Sequence, residues 1–214
     1  MRFFTRYKFV ILLFLLIPIA ALAHGISEED KLRMLSGGYL QYIGLGATHM
    51  LTGYDHLLFL FGVVFFLTSF KDIAKFVTAF TVGHCITLIF ATFYQITWNY
   101  FLIDAIIALS VIYKGFDNNG GFQKYLDMKS PNLLGAVFLF GLLHGFGLST
   151  RLQQLPLGDD STDILLRILS FNLGVEIGQI VALVVMVALL SLWRHKPSFQ
   201  RFSFASNQSL IYAG

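Results

Sequence analysis

The segment Gly46–Leu60, GATHMLTGYDHLLFL, sets His49, Asp55 and His56 inside a predominantly apolar run that extends from Tyr39 to Leu67 without a Lys or Arg. A stretch of that length reads as membrane-spanning. Each ionisable group at hydrocarbon depth costs on the order of 3 kcal/mol by insertion scales, so it needs a partner or a purpose. The partner has to come from elsewhere in the chain.

Composition places the whole molecule in the bilayer. Of 214 residues, 56% are hydrophobic and 13% charged, with 23 Phe and a mean hydropathy of +0.71. A soluble domain carries about 25% charged residues, so the chain is read as an all-α, polytopic membrane helix bundle. The net charge of +3 is a topology signal, because membrane proteins keep Lys and Arg in cytoplasmic loops. The bilayer is therefore the expected surrounding, and no nucleic-acid partner is inferred. A single cysteine, Cys85, excludes a disulfide framework and a Cys-based zinc motif.

Residues 1–23 have the layout of a cleavable signal peptide: Arg2, Arg6 and Lys8, then apolar Phe9–Ile19, then Ala21-Leu22-Ala23. Cleavage after Ala23 would leave His24 at the mature N-terminus; an uncleaved signal anchor is the alternative. Residues 24–38 form a short extracytoplasmic segment, and 39–196 a bundle of about five spans. Residues 197–214 are a tail or an incomplete last helix, so a sixth span is absent or truncated. The first span, Tyr39–Thr68, is about 45 Å long as one helix against a hydrocarbon core of about 30 Å. It must tilt, project or bend near Gly53. The others run Phe76–Tyr94, Trp98–Tyr113, Asn132–Ser149 and Ile164–Trp193.

The positive-inside rule and the signal peptide agree on orientation. Lys71, Lys75, Lys114, Lys124, Lys129, Arg194, Lys196 and Arg201 then fall inside, with the mature N-terminus outside and residue 194 onward cytoplasmic. A bacterial-type inner (plasma) membrane is the expected location.

Counting from the span ends puts His49, His84, His144 and Glu176 near mid-membrane, with His56 deeper toward the cytoplasm. His49, Thr52 and His56 stand at i, i+3 and i+7 with Asp55 at the edge of that stripe. Asn172, Glu176 and Gln179 repeat at i, i+4 and i+7, and Thr81, His84 and Thr87 recur every three residues. Several imidazoles with carboxylates are ligands for a borderline divalent cation such as Ni, Co, Zn or Cu, and two or three carboxylates offset its charge in a poor solvent for ions. The candidate ligands are His49, Asp55, His56, His84, His144 and Glu176, with Asp104 and His24 as weaker ones. Thr52, Thr81, Asn172 and Gln179 are candidates for orienting the rings.

These residues resemble a known family. His49-x5-Asp55-His56 matches the His-x5-Asp-His signature of the HupE/UreJ family, and TAFTVGH (78–84), the segment 104–110, FGLLHGFG (140–147) and FNLGVEIGQ (171–179) look like its HupE/UreJ-protein branch. The resemblance extends from the signal peptide to about Trp193 and implies a nickel or cobalt permease. The permease family's second signature is Phe-His-Gly-x-Ala/Val-His-Gly-x-Glu. Aligned on His144-Gly145, this chain has Phe140 in place of the first His and Gly147 in place of the Glu. His84 and Glu176 are expected to supply the missing ligands from neighbouring helices.

Two functions follow from these residue types. One is a membrane protein that binds and transports a divalent metal. The other is an intramembrane zinc-dependent hydrolase-like enzyme, with three His holding the ion and Asp55 or Glu176 as base. A closed ligand cluster with one open position would favour the enzyme, and a string along a polar path the permease. A homo-oligomer is left open.

Overall fold

The computed structural model describes residues 38–153 and 160–214. The expected signal peptide and the 24–37 segment, His24 included, lie outside the described residues. All regular structure among the described residues is helical: α1 (Tyr39–Thr52), α2 (Tyr54–Val64), α3 (Phe70–Phe93), α4 (Tyr100–Asn118), α5 (Gly121–Leu126), α6 (Leu133–Leu152), α7 (Ser161–Arg194) and α8 (Pro197–Ala213). Helix starts carry the side chains expected of them. Asn99 accepts from the Phe101 amide at 3.0 Å to open α4, and Asp160 accepts from the Asp163 amide at 3.1 Å to open α7.

The first span bends, as one of its three readings allowed. Gly53 leaves the helical region with φ −70° and ψ 99°, while its N–H still closes onto the His49 carbonyl. Three helices, α3, α6 over Leu133–Thr150 and α7, are individually long and apolar enough to cross a membrane, and α2 is a shorter apolar helix. Along α7, Leu173, Ile177, Ile180, Val181, Val184 and Val185 are exposed. An apolar face of that extent belongs against lipid.

Two tight helix pairs make the frame, and glycine makes both. A Cβ on Gly46 of α1 would collide with the Phe171 carbonyl of α7, and one on Gly174 of α7 with the Ile43 carbonyl of α1. Gly83 of α3 and Gly141 of α6 stand in the same relation to Phe138 and Phe80. Backbones approach this closely only where side chains are missing from both sides, the way small residues drive association in lipid.

The ends of the bundle are tied by polar groups. Tyr39 donates to Asp163 at 2.9 Å at one end. At the other, the Arg194 guanidinium donates to the Val64 and Phe65 carbonyls, satisfying the open C-terminus of α2. The 197–214 segment is helical, and α8 packs antiparallel to α4. Its Asn207 is fully buried, accepting from Asn118, whose amide also reaches the Gly62 carbonyl at 2.8 Å.

Candidate functional site

Four of the predicted histidines meet at one level of the bundle, each from a different helix. His49 comes from the last turn of α1, His56 from the first turn of α2, His84 from mid-α3 and His144 from mid-α6. The His56 ring lies 5.1 Å from that of His49 and 5.1 Å from that of His144. The Phe80 ring stands beside both His144, at 5.1 Å, and His84, at 6.2 Å. The ring contacts thus run as a string, His49–His56–His144, and Phe80 touches both His144 and His84.

The break at Gly53 lies between His49 and His56, whose rings stand 5.1 Å apart across it. It also leaves room: a Cβ there would come within 2.7 Å of His56 Nδ1 and 3.2 Å of Asp55 Oδ1. Asp55 therefore sits directly on its neighbour, its Oδ1 accepting from the His56 backbone amide and from His56 Nδ1, both at 2.9 Å.

The Nδ1 atoms of His144 and His84 are committed in the same way. His144 Nδ1 donates to the Phe140 carbonyl, one turn earlier, at 2.7 Å. His84 Nδ1 faces Asn172 Oδ1 at 3.3 Å, and the Asn172 amide nitrogen donates to the Ile168 carbonyl at 3.1 Å. A carbonyl, a carboxylate or an amide oxygen can only accept, so each Nδ1 carries the hydrogen and the neutral ring keeps its lone pair on Nε2. His84 and His144 are 1% and 2% exposed, and their Nε2 atoms are buried with no hydrogen-bond partner among the described residues. Metal-ligating histidines are oriented by this arrangement of outer partners. Among the described residues, no three His, Cys, Asp or Glu side chains converge in a geometry that could hold a metal ion.

The HupE / UreJ protein profile matches residues 27–214. The chain belongs to the HupE/UreJ family. Membership ties it to membrane proteins linked to nickel and cobalt transport. No curated protein and no solved structure matches it.

The remaining candidates of this HupE/UreJ protein divide by where their helices turn them. Asn172 bonds His84, and Gln179, 1% exposed, accepts from Thr81 at 2.9 Å, so α3 and α7 are joined by two polar pairs. Glu176 does not join them. It is exposed on the side of α7 that carries Leu173, Ile177 and Ile180. Thr52 is exposed and donates back to the Thr48 carbonyl. Asp104 is half-buried on α4 and shares the wall of a cavity with Asp55. Phe59 and Phe80, which the sequence reading did not single out, are the side chains that pack on His144, at 5.8 and 5.1 Å. Their spacing of three from His56 and four from His84 was the available signal.

Proposed function

We propose that this protein binds a divalent transition metal of the nickel or cobalt kind and conducts it across the membrane along His49, His56, His144 and His84. The observation that carries this reading is the state of three of the rings: His56, His84 and His144 each have Nδ1 held by an acceptor, and in His84 and His144 a buried Nε2 lone pair has no partner among the described residues. An unmet polar atom in a dry interior costs about 1–3 kcal/mol, which a cation passing the ring would relieve. Zinc or copper would satisfy the same imidazoles. Asp55 contributes the negative charge that a 2+ ion requires at this depth.

The string favours conduction over hydrolysis. A zinc hydrolase needs three ligands around one point with a fourth position open, whereas among the described residues no three such side chains converge. Spaced ligands suit an ion that must leave as readily as it enters. We place the protein in a bacterial-type inner membrane with the Asp160 end outside and the Arg194 end cytoplasmic, from the charge bias of the loops.

Purified full-length protein reconstituted in liposomes tests this. Ni2+ or Co2+ uptake should exceed that of empty liposomes and fall at least tenfold in His49→Ala. Equal uptake by the variant, with equal bound metal, would overturn the reading.

A further inference from the structure

The Asp55–His56 pair is a partition between two unlike spaces. On the Asp55 side, between α2, α4 and the end of α8, lies a cavity of about 190 Å3 whose lining includes Tyr54, Asp55, Leu58, Asp104, Ala108 and Gly214. That is room for several waters, whose liquid share is about 30 Å3 each. On the His56 side lies a space of about 10 Å3, room for about one water, lined by His56, Phe59, Val63, Phe76, Phe80 and Val137. Val63, Phe76 and Val137 lie within two turns of the ends of α2, α3 and α6 that face Arg194. The small space therefore points toward the Arg194 end of the bundle.

Aromatic rings close that direction. Phe59 and Phe80 stand 5.7 Å apart, both against His144, and Phe140 seals Phe59 from the far side at 5.5 Å. Phe59 and Phe80 are 3% and 5% exposed. Neither ring offers a lone pair to an ion that has shed its water, and an apolar constriction of this kind stops conduction by excluding water. The Asp55 side has carboxylates, and Asp55 hands directly to His56 at 2.9 Å.

Resting on the metal-conducting reading above, we propose that the cation reaches the histidines from the α2–α4 cavity and that Phe59 and Phe80 form a closed aromatic gate between His144 and the Arg194 end. The gate must part for the ion to leave. Rotation of the Phe59 ring opens the way without breaking either the Gly46–Phe171 or the Gly83–Phe138 helix contact, because α2 takes part in neither.

Cysteine accessibility tests this on the full chain in liposomes, in a Cys85→Ser background, with a small water-soluble cationic methanethiosulfonate as the probe. Leu58→Cys, in the large cavity, should react at least tenfold faster than Val137→Cys, behind the gate. Adding Phe59→Ala, or the milder Phe59→Leu should alanine fail to fold, should raise the Val137→Cys rate at least tenfold. Equal rates at the two positions, or no acceleration in a folded gate variant, would overturn the gate. Ni2+ uptake is read in parallel on the unsubstituted protein. Asymmetric labelling without uptake would overturn the metal reading and leave the gate standing, and uptake with symmetric labelling would overturn the gate alone.

Discussion

The amide oxygen of Asn172 on α7 faces Nδ1 of His84 on α3 at 3.3 Å, and the amide nitrogen of the same Asn172 is spent on the Ile168 carbonyl. One side chain thereby fixes which end of the His84 ring holds the proton. Removing an outer partner of this kind costs metal sites about 10–100-fold in affinity. Asn172→Leu should weaken Ni2+ binding by that order and, because it strands the buried Nδ1–H of His84, lower stability by about 1–3 kcal/mol, as equilibrium binding and thermal unfolding in detergent would check. Asn172→Asp, which keeps an acceptor toward the ring, should recover most of the loss.

Glu176→Gln should leave Ni2+ uptake within about twofold of wild type. The carboxylate lies on the exposed side of α7, so the ion meets it in neither the cavity nor the histidine string. A tenfold loss of uptake with normal expression would mean that α7 turns this face inward in the working protein.

The two glycines of α1 should behave oppositely. Gly44→Ala has open space within 4 Å and should shift stability by less than about 0.5 kcal/mol. Gly46→Ala drives a methyl group into the Phe171 carbonyl, an overpacking that costs about 1–3 kcal/mol. Thermal unfolding of the two variants in one detergent would separate them.

Arg194→Ala should destabilise the protein by about 1.5–3 kcal/mol, the usual range for hydrogen bonds from a charged group. It frees the Val64 and Phe65 carbonyls at the end of α2. Arg194→Lys should recover only part of this, because a single ammonium cannot reproduce the fork that spans two carbonyls. Proteolysis of the α2–α3 loop would report the loosened end.

Much of this architecture can be read from the residues, for physical reasons that also mark where reading stops. Hydropathy identifies the helices because lipid admits little else, and the excess length of the Tyr39–Thr68 run requires a device such as the break at Gly53. Counting puts His49, His84 and His144 at one depth but His56 deeper, whereas beyond the break at Gly53 the His56 ring lies beside those of His49 and His144. Facing does not follow so simply. Asn172, Glu176 and Gln179 form one stripe by spacing, yet the contact of Gly174 and Gly178 with Ile43 and Ala47 of α1 rolls α7 so that Glu176 falls outside the buried arc. Thr52 is misread for a related reason: its i+3 and i+4 relations assume an unbroken helix, and Gly53 resets the phase beyond it. The 197–214 segment looks like a tail because it is polar, and its burial depends on Asn118 and Lys114 of a helix distant in sequence. Lys114 itself, 4% exposed and paired with Asp117 at 2.7 Å, lies at the end of a span that hydropathy alone would close one residue earlier.

The most direct measurement is equilibrium Ni2+ binding to the full chain purified without chelator, comparing wild type with His144→Ala. His144 is the ring that touches His56, Phe59 and Phe80 at once and whose Nε2 is buried without a partner among the described residues. The expected result is saturable binding by the wild type that weakens at least tenfold in the folded variant. Wild-type protein that binds no divalent metal, or a variant that binds it equally well, would contradict the assignment of the histidine string as the metal's path.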